Sequence, residues 1–228
     1  MCIRDSYSRA WRALGRALGE IRDRDVLAHS TLPPLREAFP DARDLQRLIE
    51  FSQRQPRTAR RHLIPLFEHD DAHTLLLDFT GALYALNESS TVDLAEWAKT
   101  RLAGLEQRIR QHTLEQTLDT ARQRHALRLK IKRLRYACEF FQPLIATTEP
   151  TPDRANYLQS LIRLQNHLGQ LNDLACARQL LTTADIRCPR AFGWLAGQEA
   201  LLCRQLPAQL KPWLAESLFS SPPATTSP

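Results

Sequence analysis

Cationic side chains line one side of a predicted helix that starts near His125. At 100° per residue, Arg128, Lys132 and Arg135 fall within about 80° of His125 on a single side. A guanidinium group can bind two oxygens of an oxyanion at once, and an ammonium group adds a point charge between such pairs. The residue types and their spacing therefore predict a surface that binds a polyanion.

The other side of the same segment is apolar, which predicts a helix packed on a core by that side. The apolar side chains lie at about 160–240° from His125, and they are Leu127, Ile131, Leu134, Cys138 and Phe141. From Arg122 to Arg135 there are seven Arg or Lys and one His, but no acidic residue. A helix side that merely faces solvent usually interleaves Glu with Lys at four-residue spacing, which occurs here only at Glu139. The pattern favours a binding surface over an ordinary solvated face.

Length and composition limit the classes of protein. With 228 residues and 43% hydrophobic content, the chain can bury a core as one large domain or two small bundles. The formal net charge of +6 favours an acidic partner. The five cysteines are odd in number and include no C-x-x-C pair, which argues against a disulfide framework or a zinc site. No apolar run reaches about 18 residues and no secretory leader is recognisable, so we predict a cytoplasmic protein.

Helical periodicity runs through the whole chain and predicts an all-α fold. Glycine is rare, with 7 residues, and most predicted breaks coincide with proline. These breaks include Pro33-Pro34, Pro40-Asp41, Pro56, the segment 143–152 and Cys188-Pro189. Helices are predicted at roughly 7–29, 41–54, 57–68, 70–87, 92–117, 119–146, 153–184, 189–204 and 207–216.

Two segments, 7–28 and 157–178, align at an offset of 150 residues and indicate an internal repeat. In the first, L-G-E-I-R-D begins at Leu18, and in the second, L-G-Q-L-N-D begins at Leu168. Glycine inside a helix costs about 1 kcal/mol relative to alanine, so its recurrence predicts close helix contact at both places. A chance coincidence of Leu-Gly pairs is the alternative.

The repeat also makes a prediction about the first bundle. The helix at His125 lies 43 residues before Leu168, so its counterpart would fall before Met1. We therefore expect the first bundle to lack its first helix. Residues 1–6 share no pattern with the rest of the chain and are interpreted as a non-native leader.

Three motifs in this order resemble the CHAD family of histidine-bearing α-helical domains. The first-repeat motif is L-G-x-x-R-D-x-D-V from Leu18 to Val26. The second-repeat motif is H-x-L-R-x-x-x-K-R-L-R-Y-x-x-E-F-F from His125 to Phe141, followed by L-Q-x-x-L-G-x-L-N-D from Leu164 to Asp173. The resemblance covers about residues 7–216.

The resemblance implies two pseudo-symmetric antiparallel helical bundles whose basic residues bind inorganic polyphosphate. Its first repeat would span about 7–117 and its second about 119–216. Separately, the Ser/Thr/Pro-rich composition at the end of the chain predicts a disordered tail at 217–228. Such domains occur alone or behind a CYTH-type triphosphatase domain and are associated with polyphosphate granules. No cofactor or metal is implied. The absence of the first basic helix departs from the family pattern. The alternative that an upstream CYTH-type domain was lost together with this helix stays open.

The candidate polyphosphate-binding residues lie in both predicted repeats. Those of the second repeat are His125, Arg128, Lys132, Arg133, Arg135, Tyr136 and Arg163. Those of the first repeat are Arg12, Arg16, Arg57 and Arg61, the last two from a basic cluster at 54–62. Carboxylates repel an anion, so Asp23 and Asp173 are expected to orient arginines or cap loops, and Glu139 to orient Arg135, rather than contact the ligand.

Other functions stay open on the sequence alone. An enzyme acting on the same anion would need metal-holding carboxylates or a Gly-rich phosphate loop, and neither is recognisable. The segment His69-Asp70-Asp71-His73 is better explained by acidic residues at a helix start than by a metal site. Sites for single-stranded nucleic acid usually include several aromatic side chains on which bases stack. Only Tyr136 lies near the cationic side of the helix that starts near His125. A helical scaffold whose stripe meets an acidic protein is a further possibility.

Overall fold

The computed structural model describes residues 3–68, 71–85, 93–146 and 152–219, excluding the side chains of 3–6, 55–59, 62, 63, 65–68, 71, 72, 146, 152 and 153. All regular structure in these ranges is helical, so the predicted all-α fold is confirmed. The helices are α1 (Ile3–Val26), α2 (Leu32–Ala38), α3 (Arg43–Glu68), α4 (Asp71–Tyr84), α5 (Leu94–Glu115), α6 (Ala121–Ala146), α7 (Pro152–Thr183) and α8 (Pro189–Ala215). A π-helical turn, Leu27–Thr31, joins α1 to α2.

The chain forms two compact units. Unit 1 comprises Met1–Ser90 and Cys176–Ala196, and unit 2 comprises Thr91–Ala175 and Gly197–Pro228. The boundaries fall inside α7 and α8, so each of these helices contributes one end to each unit. The proposed division of the sequence into two repeats stays a prediction. The compact units divide the structure differently, since α5 lies in unit 2.

Unit 2 contains a continuous apolar core built from α5 to α8. The predicted apolar stripe of α6 is confirmed: Leu127, Ile131 and Leu134 are fully buried, and Cys138 is nearly so. Fully burying one such side chain contributes about 1.5–3 kcal/mol. Because its apolar side is anchored in this way, the cationic stripe of α6 is directed away from the core.

Unit 1 is organised around the junction of α1, α2 and α3. Leu27 and Ala28 of the π-helical turn are buried together with leucines of α2 and α3. The latter are Leu32, Leu35, Leu45 and Leu48. By contrast, Leu18 of α1 is 46% exposed. The apolar side of α1 is therefore only partly covered within the described residues.

Several predicted helix boundaries are wrong because prolines do not break the helices. α3 continues through Pro56, and α8 continues through Pro207 and Pro212. An internal proline removes a hydrogen bond and costs about 3 kcal/mol. In α8, Leu206 and Trp213 are buried next to these prolines, and their burial offsets much of that cost.

Pro33 and Pro34 likewise stand inside a helix. They occupy the first turn of α2, where a missing backbone N–H leaves no intrahelical hydrogen bond unmade. The predicted helix 7–29 is also revised, since α1 begins at Ile3 and changes to the π-helical turn after Val26. That residues 1–6 are non-native stays a prediction, and Met1 and Cys2 lie outside the described residues.

The predicted disordered tail begins too early. Leu218 is 4% exposed, and its backbone N–H donates to both carboxylate oxygens of Glu106 at 3.4 Å. Arg110 binds the same carboxylate and donates to the backbone carbonyls of Trp213, Leu214 and Glu216. These contacts attach the segment after α8 to α5. The rest of the predicted tail, 220–228, lies outside the described residues.

None of the helices in the described ranges combines the length and apolar content needed to cross a bilayer.

Candidate functional site

The polar side of α6 meets α7 along a row of matched positions. Arg135 Nε donates to Gln165 Oε1 at 2.7 Å. Nearly three turns away on α6, His125 Nδ1 lies 2.6 Å from Asn172 Oδ1. Residue numbers increase along α7 in the direction in which they decrease along α6, so the two helices run antiparallel here. The cationic stripe is thus held against α7 at both ends.

Between these ends, Arg128 lies over Gly169. A Cβ atom at position 169 would be 3.9 Å from Arg128 Nε, which is ordinary van der Waals contact. Nε of Arg128 is buried and has no acceptor among the described residues. The predicted close contact at this glycine is therefore with a side chain of α6. A Cβ atom at Gly19, where the repeat predicts the same, would have no described side chain within 4 Å, so the described structure does not show the predicted contact there.

Arg135 makes several contacts at its end of the row. In addition to its bond with Gln165, its Nη1 donates to Glu139 Oε1 at 2.5 Å. Its guanidinium carbon lies 4.4 Å from the centre of the Tyr136 ring. The Arg135 side chain is 19% exposed and that of Glu139 is 42% exposed. Glu139 thus orients Arg135 at the edge of solvent, and its role toward an anion stays a prediction.

Lys132 lies between the two ends of the row, and Tyr136 lies next to Arg135 at one end. Lys132 is half-buried, with Nζ 5.5 Å from the centre of the Tyr136 ring, and Tyr136 itself is 48% exposed. Both Lys132 and Arg135 are close enough to be attracted to the Tyr136 ring. Arg133 is exposed but lies about 80° from His125 on the opposite side from Arg128, at 100° per residue.

One cation of the segment does not belong to the surface. Arg124 is 5% exposed; it pairs with Glu199 Oε1 at 2.5 Å and donates to the backbone carbonyls of Leu118 and Asp119. It connects the start of α6 to α8 within unit 2. The sequence count of basic residues included Arg124, because its partner is 75 positions away in the chain.

Arg163 is exposed on α7. It is one of the candidate binding residues, and this role stays a prediction. Asp173 is half-buried on the same helix, directly after Asn172. His167, one turn beyond Arg163, is instead buried, with Nε2 at 2.8 Å from the backbone carbonyl oxygen of Leu202. It serves to attach α7 to α8.

The candidate residues of the first repeat lie in unit 1. Arg12 and Arg16 are exposed on α1, and Arg61 is exposed on α3. The side chain of Arg57 lies outside the described residues. Their proposed contact with an anion stays a prediction.

Carboxylates already bind several arginines of unit 1. Arg60, from the basic cluster at 54–62, donates to both carboxylate oxygens of Asp25 at 2.9 and 2.7 Å. Asp23 accepts from its neighbour Arg22 at 3.1 Å. Arg22 is not one of the candidate binding residues, so the expected role of Asp23 toward those residues stays a prediction.

In the part of the chain that the structure describes, no group of three or more His, Cys, Asp or Glu side chains could hold a metal ion. His69 and Asp70 of the segment 69–73 lie outside that part.

Sequence reasoning missed Gln165 and Asn172 as functional candidates. Both belong to the L-Q-x-x-L-G-x-L-N-D motif, and the spacing of Gln165, Gly169 and Asn172 places all three on one side of α7. That spacing was the available signal. It does not say which helix this side faces, and only the structure shows that the helix is α6.

Comparisons with known proteins agree on one family. The family model described as CHAD domain matches residues 4–182. The chain is similar to the protein in "Crystal structure of the CHAD domain from the plant Ricinus communis", with 24% identity and a TM-score of 0.71. That similarity covers 93% of this chain and 73% of the plant chain, and at this identity it shows the fold alone. No curated protein sequence matches the chain.

Proposed function

The chain belongs to the CHAD family, and on this premise we propose that the polar side of α6 binds inorganic polyphosphate. The observation that carries the proposal is the alignment of Arg128, Lys132 and Arg135 with His125 on the side of α6 opposite the core. Polyphosphate carries about one negative charge per phosphate unit. A row of cations along one helix gains affinity by releasing the counterions of such a polymer, as nucleic-acid sites do.

The chemistry of the row suits a chain of phosphates. Arg128 and Arg135 each offer a planar fork of N–H groups, and Lys132 offers a point charge between them. His125 adds a charge in its protonated form, which a nearby phosphate favours. Tyr136 borders the row, and Arg133, Arg163, Arg12, Arg16, Arg57 and Arg61 are proposed as further contacts.

We propose a binding module and not an enzyme. Such a module would act in the cytoplasm at polyphosphate granules, either targeting a protein to them or regulating a partner. A CYTH-type triphosphatase domain is one such partner that the family resemblance implies. One alternative is that the chain is a component of an enzyme that acts on polyphosphate or on a phosphate ester. The other is that it binds nucleic acid, which a competition experiment tests.

Calorimetric titration with long-chain polyphosphate tests the proposal. The variant Arg128→Ala/Lys132→Ala/Arg135→Ala should lose most of the affinity while keeping a helical circular dichroism spectrum. The slope of log K against log salt should fall by roughly 2, taking about 0.7 per lost contact as for single-stranded nucleic acids. A further variant, Glu139→Gln, should bind more tightly than the wild type, since Arg135 then loses its carboxylate partner.

A control with the same change in charge is available elsewhere on the chain. Arg187, Arg204 and Lys211 are all exposed, so Arg187→Ala/Arg204→Ala/Lys211→Ala removes two arginines and one lysine without touching α6. If this control lost as much affinity as the α6 variant, binding would reflect net charge alone and the proposed site would be wrong. If single-stranded DNA displaced polyphosphate at equal charge concentration, the proposed ligand would be wrong.

A further inference from the structure

We infer that Gln165 and Asn172 of α7 are positioning residues, which hold the cations of α6 in place without neutralising them. The inference rests on the proposed function, because it assigns a role to residues that would not touch the anion themselves. Its basis is the matched row: Gln165 accepts from Arg135 Nε, and Asn172 lies at hydrogen-bond distance from His125 Nδ1.

Both positioning groups are neutral amides. An amide oxygen fixes the direction of an N–H group but carries no formal charge, so the cation keeps its full charge for a ligand. A carboxylate at the same place would compete with phosphate for the guanidinium. This distinction matters because binding by counterion release depends on how many charges remain available to the polymer.

Other arginines of the chain are held by carboxylates instead. Asp25 binds Arg60, Asp44 binds Arg190 at 2.5 Å, and Glu199 binds Arg124. Those arginines connect helices, and their charges are compensated where they stand. On α7, by contrast, the oxygens that meet Arg135 and His125 belong to amides. The carboxylate that binds Arg135 comes from α6 itself and is 42% exposed.

Asn172 also fixes the orientation of the His125 ring. Oδ1 of an amide can only accept, so Nδ1 of His125 donates in this contact. The contact can form with a neutral or a charged ring, so the ring keeps its place in either state.

Isosteric variants separate positioning from charge. Gln165→Met removes the acceptor and keeps the shape, and Gln165→Glu adds a negative charge in nearly the same volume. Asn172→Asp makes the same change beside His125. Matched controls lie on the same helix, because Gln170 and Asn166 are exposed and point about 90° or more away from the middle of the row; they are Gln170→Glu and Asn166→Asp.

The affinity for long-chain polyphosphate is measured by calorimetry from pH 5.5 to 8.5 at constant salt. Gln165→Glu should weaken binding about three- to tenfold, Gln165→Met by less, and Gln170→Glu hardly at all. At pH 5.5, Asn172→Asp should weaken binding more than Asn166→Asp does, because a carboxylate beside the imidazolium form of His125 would compensate its charge.

Nuclear magnetic resonance titration of the His125 ring, without polyphosphate, gives a second readout. The pKa of His125 should rise in Asn172→Asp and stay unchanged in Asn166→Asp. If it does not rise, the contact with Asn172 is absent and the inference is wrong. If the wild type binds polyphosphate but Gln165→Glu and Gln170→Glu weaken binding equally, the inference fails while the proposed function stands. If the wild type does not bind polyphosphate, both fail.

Discussion

The same Leu-Gly pair has opposite surroundings in the two units. In unit 2, Leu168 is 1% exposed and Gly169 lies against the Arg128 side chain of α6. In unit 1, Leu18 is 46% exposed, and a Cβ atom at position 19 would have no described atom within 4 Å apart from its chain neighbours and the backbone of its own helix. The Leu-Gly sequence alone therefore does not determine whether the pair is buried. Burial also requires a neighbouring helix on that side.

The neighbourhood of Leu18 supports this interpretation. Leu18 lines an open groove of about 360 Å³ on α1 and the π-helical turn, together with Ile21, Arg22, Asp25 and His29, among others. α1 does contact α3, the π-helical turn and α4. Among the described residues, however, no helix lies on the Gly19 side as α6 lies on Gly169. The two units thus give an internal control for what a covering helix contributes.

The largest difference between the units should appear when each leucine is shortened. Leu168→Ala should lower the free energy of unfolding by about 2–5 kcal/mol, since it leaves a cavity in a packed core. Leu18→Ala should change it by no more than about 0.5 kcal/mol, because the side chain is already half in water. Urea denaturation followed by circular dichroism measures both. Equal losses for the two variants would contradict the comparison.

The second-largest difference between the units should appear when an ion pair in each is broken. In unit 2, Arg110 pairs with Glu106, whose side chain is 6% exposed, at 2.7 Å. Arg110→Met would leave that carboxylate buried without its cation. It should therefore lower the free energy of unfolding by about 3 kcal/mol. In unit 1, Arg60 is 59% exposed, so Arg60→Met should cost at most about 1 kcal/mol.

Thermal and urea denaturation of the two methionine variants gives the comparison. Asp25→Asn serves as the control for Arg60→Met, because it removes the charge of the carboxylate in the same ion pair. The interpretation of unit 2 would be wrong if Arg110→Met were no more destabilising than Arg60→Met.

The smallest effect concerns thiol ionisation. Burial raises the pKa of Cys138 in unit 2 to about 12, with the nearby Glu106 adding to the shift. Burial also raises the pKa of Cys188 in unit 1, where Asp44 is close. The native state then keeps protons that the unfolded state loses above the ordinary thiol pKa of about 8.5, so the free energy of unfolding should fall as pH rises from about 9 toward 12.

Cys138→Ala, compared with the wild type across that pH range, isolates its share of the decrease. Because little thiolate forms below the raised pKa, native Cys138 should also react with iodoacetamide far more slowly than the half-buried Cys203. Rapid labelling of native Cys138 would contradict its burial.

Prediction from the sequence succeeded where the signal was local. The apolar positions of α6 recur at helical spacing, and Leu127, Ile131 and Leu134 are buried as that spacing requires. The all-α fold and the CHAD resemblance rest on such patterns and motifs, and both are confirmed.

Prediction failed where tertiary contacts outweigh a local preference. Local rules predict breaks near Pro56 and Pro207, although α3 and α8 pass through them. They also place Leu218 in a disordered tail, although its N–H binds a carboxylate on α5, more than 100 positions earlier in the chain. In neither case does the immediate sequence reveal the packing that decides the outcome.

The sequence by itself determined which side chains share one side of α6, because the angle between residues on a helix depends only on their spacing. Only the tertiary structure decided what each of them does there. It buries Arg124 against Glu199, places Arg135 on Gln165, and brings His125 to Asn172. These partners are 75, 30 and 47 positions away in the chain, so their contacts follow from the packing of α6 against α7 and α8 and not from helical periodicity.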